Sequence, residues 1–188
     1  MSQLETPTNE IVLPEQFMKE YWNFVKECIQ YNRNQGKEMP DDWEPSAYSR
    51  SVEGKSSSPV TIWHHSDIDP KKITGLDKHI GYVARAEWDT ALLDSSNRPH
   101  LDLYFDQDDG TGVGLGFFNR EQMADFLSVV GITKPASTQK ALSRQLGNIP
   151  FETYTGKYDQ GFGGYGCIVG VGYNPGLVKL VNENHKAK

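Results

Sequence analysis

HLDLYFDQDDGTGVGLGFF, residues 100–118, decides the fold. Leu101, Leu103 and Phe105 alternate with Asp102, Tyr104 and Asp106, the period of two that marks a strand with one apolar face. Beyond Asp108-Asp109-Gly110, a second strand alternates Val113, Leu115 and Phe117 with Gly112, Gly114 and Gly116. Loop length sets the register. A two-residue Asp109-Gly110 loop sets the polar face of the first strand against Val113, Leu115 and Phe117. A three-residue loop with Gly110 left-handed instead pairs Phe105 with Val113, Leu103 with Leu115 and Leu101 with Phe117. The second arrangement keeps one face wholly apolar and is the expected one. Its other face then carries three alternating glycines, which fits a tightly coiled sheet, a close neighbouring layer, or a surface left open for a flat ligand.

Strand character continues on both sides of the hairpin. VTIWHH (60–65) is β-branched and aromatic, and HIGYVARAEWDTA (79–91) places Ile80, Tyr82, Ala84, Ala86 and Trp88 on alternate positions. PFETYTGKY (150–158) and YGCIVGVGY (165–173) close the body. In the last strand Tyr165, Cys167, Val169, Val171 and Tyr173 share a face, and Gly166, Gly170 and Gly172 lie on the other. Between the hairpin and these strands come two helices, NREQMADFLSVVGI (119–132), with Asn119 and Gln122 as a capping box, and STQKALSRQLG (137–147). LVKLV (177–181) finishes a strand or a short helix, and residues 182–188 read as a frayed basic tail.

Upstream, residues 1–12 are polar and aperiodic, while 14–35 form the longest helical pattern. Phe17, Tyr21, Phe24, Val25, Cys28 and Ile29 recur every three or four residues, and Gly36 ends the run. That stripe is expected to pack on the body or on a second copy of the chain. Residues 37–59 are rich in Pro and Ser and read as a linker or binding arm, with Trp43 and Tyr48 as anchors on this chain or on a partner. The expected organisation is thus a tail and amphipathic helix over 1–36, an arm over 37–59, a barrel domain over 60–181 and a tail over 182–188.

Strand, strand, hairpin, helices, strand, strand is not a βαβ alternation, so a parallel α/β fold is not expected. A mainly β fold with helices fits: a curled antiparallel barrel of five or more strands plus the N-terminal helix. Over about residues 79–173 the chain resembles the phage-type single-stranded-DNA-binding and replication-accessory proteins with an oligonucleotide-binding (OB) fold. YVARAEW, the hairpin, the helix ending LSVVGI and LGNIPFETYTGKY carry the resemblance, with Leu146-Gly147 and Phe151 at the step that re-enters the barrel. It implies a non-enzymatic coat that holds single strands during phage or mobile-element replication or recombination.

Composition bounds the alternatives. Nineteen basic and 25 acidic residues give a net charge of −6, which supplies no bulk attraction for DNA or anionic membranes. No apolar run is long enough for a membrane helix, and the first residues have no secretory pattern, so an intracellular, cytoplasmic protein is expected. Cys28 and Cys167 are expected to be buried and inert. Asp106, Asp108 and Asp109 read as turn chemistry, because the spacing around Gly110 lacks the oxygen ligands and closing Glu of a calcium loop. A zinc site from His64, His65, His79 and His100 lacks a defining spacing. Neither glycine-rich stretch has the context of a phosphate loop or nucleophile elbow. No cofactor, metal or catalytic residue is expected, and a nuclease using Asp102, Asp106 and Asp108 is the weakest of three readings.

What remains is aromatic and basic. Tyr82, Trp88, Tyr104, Tyr154 and Tyr158 lie on strands and can stack on bases, while Arg85, Lys140, Arg144 and Lys157 can neutralise phosphates. The alternative is an acidic accessory or inhibitory module that engages a host protein through the 14–35 helix and the Trp43 arm.

Overall fold

A computed structural model of the chain describes residues 11–45, 50–53, 60–64, 73–89, 100–117, 119–159 and 165–186. The elements are α1 (Glu15–Asn34), β1 (Arg50–Glu53), β2 (Val60–His64), β3 (Ile73–Asp89), β4 (His100–Gln107), β5 (Gly112–Phe117), α2 (Arg120–Val129), α3 (Gln139–Leu146), β6 (Phe151–Asp159), β7 (Tyr165–Tyr173) and α4 (Pro175–Lys186). The strands form one curled antiparallel sheet of seven, ordered β1-β2-β7-β6-β3-β4-β5.

The last five strands have an OB-like arrangement. β3, β4 and β5 make a meander; after α2 and α3, β6 returns to the free side of β3, and β7 lies beside β6. One strand serves both halves because it is 17 residues long. Its Ile73–Gly81 half pairs with β6, and its Gly81–Asp89 half pairs with β4. The register shifts between Val83 and Arg85 and again between Thr74 and Asp77. Each irregularity adds local twist, and the twist curls the sheet until β5 approaches β7. No ladder joins those two, so the sheet is a half-barrel.

The hairpin register is the expected one: Phe105 opposite Val113, Leu103 opposite Leu115, Leu101 opposite Phe117, with Gly110 at φ 84°. The expected alternation of β3 is corrected. Ala84 is an extra residue that β4 does not pair, so parity changes there. Val83 and Ala86 are buried, whereas Tyr82 registers opposite Asp106 and Arg85 opposite Tyr104 on the outward face.

The core lies between the inward face and the helices. Trp63 is fully buried, with Phe126 and Phe117 edge-on at 4.9 and 6.4 Å between ring centroids. Phe151 stacks on Phe126 at 5.9 Å and meets Phe105 edge-on at 5.4 Å. Each such side chain contributes roughly 1.5–3 kcal/mol by leaving water. Among the buried polar residues, Gln107 and Thr153 are satisfied in series. Thr153 donates to Gln107 Oε1 at 2.6 Å, the Gln107 amide donates to Thr111 Oγ1 at 2.7 Å, and the Thr111 hydroxyl donates to Asp109 at 2.6 Å.

α1 docks on this body. Its buried residues are Phe17, Tyr21, Phe24, Val25 and Ile29, and the Tyr21 hydroxyl donates to Glu44, which also takes a two-pronged ion pair from Arg120 of α2. Burial and the Glu44 carboxylate together push the Tyr21 phenol well above its ordinary value. Asn119 caps α2 by accepting from the Glu121 and Gln122 amides. α3 covers the stretch of β3 edge that β6 leaves unpaired. The Ser143 hydroxyl meets both backbone groups of Ala86, accepting from its amide at 2.9 Å and bonding its carbonyl at 3.3 Å. Open edges invite pairing with other chains, and this plug closes one.

Three further expectations change. Arg50–Glu53 form β1 within the stretch read as an arm, pairing with β2. LVKLV and the following residues up to Lys186 are one helix, α4, which Asn174 initiates by accepting from the Gly176 amide at 3.0 Å. Cys28 is only partly buried, at the margin of the α1 stripe; the side chain of Cys167 lies outside the described residues. Trp43 packs half-buried against the chain's own core, and Tyr48 lies outside the described residues.

Candidate nucleic-acid interface

The outward face of β3, β4 and β5 is a grid of three rows set by register. Tyr82, Asp106 and Gly112 make one row; Arg85, Tyr104 and Gly114 the next; Glu87, Asp102 and Gly116 the third. The third column has no side chains. At the centre, a β-carbon on Gly114 would meet Tyr104 Cδ1 at 3.7 Å and Cε1 at 3.8 Å, so the ring lies over the glycine. The Arg85 guanidinium sits 4.3 Å from the ring centroid, held by Glu87 at 2.9 Å. Tyr104 remains 36% exposed, and its hydroxyl reaches Asp102 only at 3.5 Å. An aromatic ring with a guanidinium stacked on it, beside a bare backbone floor, is a flat surface that bases can stack on.

A second grid lies on the other half of β3. Lys78, Tyr154 and Gly170 share one row, and Ile80, Glu152 and Gly172 the next. The pattern acid-x-Tyr facing a glycine and a β3 cation therefore occurs twice. Here the acid is buried. Glu152 accepts from the Tyr154 hydroxyl at 2.5 Å and from Asn174 at 3.1 Å, with the Lys78 ammonium at 3.9 Å. From the level of Lys78 to that of Arg85 is about 20 Å along the strand, roughly four nucleotides of extended single strand.

Of the residues singled out from sequence, Tyr82, Arg85, Tyr104 and Tyr154 come together on this outward face. Tyr158 registers opposite Ile73 and Gly166, four residues along β6 from Tyr154, with its side chain outside the described residues. Trp88 registers opposite Leu101, with its side chain outside the described residues. Lys157 has the parity of buried Thr153 and is exposed where β6 runs past the core. Lys140 and Arg144 are exposed on α3, beside the β3 edge and off the face. Sequence reasoning missed Lys78, Glu87 and Glu152. The repeated acid-x-Tyr was a visible signal; the cations beside it were not, because only strand pairing supplies them.

At the hairpin turn His79 comes between two carboxylates, Nδ1 3.0 Å from Asp108 and Nε2 3.6 Å from Asp109. Among the described residues this is the one His-carboxylate trio whose ligand atoms lie within 4.8 Å of one another. With each ring nitrogen facing a different carboxylate, His79 ties the turn to β3. Thr111 holds the Asp109 carboxyl below its ordinary value, first through its hydroxyl and then through its amide, with His79 adding a smaller electrostatic pull.

No protein-family model, no curated protein and no solved structure matches this chain. No helix among the described residues is long and apolar enough to cross a membrane.

Proposed function

We propose that the protein binds single-stranded nucleic acid through the outward face of its OB-like sheet, without catalysing a reaction. One observation carries the reading: the exposed Arg85–Tyr104 stack over Gly114, on the strands that OB folds use for oligonucleotides. Each base stacked on such a ring contributes roughly 1–3 kcal/mol with little sequence readout. The −6 net charge makes phosphate contacts few, so affinity falls only gently with salt. Arg85, Lys78 and, beside the face, Lys140 and Arg144 are the cations within reach, in the non-catalytic coat role that the OB-like order suggests. Fluorescence anisotropy with matched single- and double-stranded oligonucleotides at two salt concentrations tests this. Binding of the single strand alone, with a shallow salt slope, is the expected result; no binding at low salt overturns it.

A second reading follows from Glu87, Asp102 and Asp106, which flank Tyr104. A basic protein surface complements that ring of carboxylates. Capture of one basic partner, abolished by reversing the charge of Asp102 and Asp106, is its expected signature.

A further inference from the structure

We infer that this face selects bases carrying an exocyclic amino group, cytosine and adenine, over thymine. The inference rests on the nucleic-acid reading and adds to it a specificity. Along β4 the side chains on either side of Tyr104 are Asp102 and Asp106, and Glu87 continues the third row. Ionised carboxylates only accept hydrogen bonds. The principal cationic donor of the grid, Arg85, is already engaged by Glu87. Asp106 is exposed and has no side-chain partner among the described residues.

The glycine column supplies the geometry. Gly112, Gly114 and Gly116 register directly opposite Asp106, Tyr104 and Asp102. Gly114 lies under the Tyr104 ring and Gly116 is buried, so a planar base beside Tyr104 can lie over the exposed backbone of Gly112, with its edge turned to Asp106 and its phosphate away from the sheet. That orientation is how an acidic face holds an anionic polymer: the carboxylates meet base edges, and the phosphates stay toward solvent. The cytosine edge offers the N4 amino group, which carboxylates accept, and adenine offers N6. Thymine offers O4 at that position, so acceptor faces acceptor and the carboxylate gains no hydrogen bond there. Stacking alone gives no such order, because cytosine and thymine present similar ring faces.

Competition between unlabelled oligo(dC) and oligo(dT) of about 12 nucleotides for a labelled mixed-sequence strand tests the inference. It is run near neutral to about pH 8, where carboxylates are ionised. Oligo(dC) is expected to compete at about three- to tenfold lower concentration. Asp106→Asn offers a donor as well as an acceptor, so it should bring that ratio toward one, chiefly by improving oligo(dT). Asp106 is exposed, so the variant should melt with the parent protein. Equal competition, a preference for oligo(dT), or a ratio that Asp106→Asn leaves unchanged overturns the specificity while the binding reading stands. Failure of every oligonucleotide to bind overturns both.

Discussion

Tyr104 and Tyr154 stand in nearly the same local pattern and do different things. Each follows a carboxylate by two residues, faces a glycine on the next strand and has a β3 cation on its other side. Around Tyr154 the acid is 8% exposed and its oxygens are bonded to the tyrosine hydroxyl and to Asn174, which starts α4. Around Tyr104 the hydroxyl meets its acid only at 3.5 Å and the residue is 36% exposed. Both hairpins run on into an asparagine-started helix, but Asn174 turns back to bond Glu152, whereas the Asn119 amide donates to the Pro45 carbonyl. β6, which carries Tyr154, lies inside the sheet between β3 and β7, while β4 has the edge strand β5 on its outer side. The first has become a structural joint, and the second has been left as a surface.

The largest expected effect separates the two acids. Glu152→Ala strands a tyrosine hydroxyl and an asparagine amide, costing about 2–3 kcal/mol in urea denaturation, whereas Asp102→Ala stays within about 0.5 kcal/mol. Equal losses would erase the distinction. Next come the rings: Tyr104→Ala should weaken single-strand binding by about 5- to 100-fold with an unchanged melting temperature. Tyr154→Ala should lower the melting temperature as well, and if it does not, Tyr154 is as much a surface residue as Tyr104.

The glycines sharpen the same contrast at lower magnitude. A β-carbon on Gly81 would lie 2.7 Å from Thr153 Cγ2, inside the joint between the two halves, so Gly81→Ala should cost about 1–3 kcal/mol. At Gly114 the new carbon makes only ordinary contact with Tyr104, and Gly114→Ala should leave stability within about 0.5 kcal/mol. The smallest effect is acid-dependent. Thr111 keeps the Asp109 carboxyl below its ordinary value of 3.8. A carboxyl depressed in the folded state adds stability above its unfolded value, and that contribution disappears as pH falls through the lowered one. Asp109→Asn should therefore flatten slightly the fall in melting temperature below the ordinary carboxylate range, and leave it unaltered near neutrality.

Local pattern carried much of the fold. Gly110 and the apolar alternation fixed the β4–β5 register, because a slip of one residue exposes Leu103 and Leu115 to water. The α1 stripe and the Asn119 cap likewise acted within a few residues of themselves. Tyr104 on a glycine-faced strand was legible for the same reason. Alternation gives parity but not the neighbour, and one unpaired Ala84 was enough to reverse parity along β3. Pairing of β3 with β6 joins Lys78 to Tyr154 across most of the domain, and no local signal encodes that distance. Lys140 and Arg144, read on a helix near the groove, lie beside the sheet because that helix, α3, closes the β3 edge. Sequence by itself determined α1, α2, α3 and the β4–β5 hairpin with their apolar faces, since those depend on short-range periodicity, whereas β1, α4 and the parity of β3 beyond Ala84 depended on pairing and packing. Only the tertiary structure decided which tyrosine is a joint and which a platform, because burial of Glu152 and exposure of Tyr104 depend on what long-range pairing lays beside them.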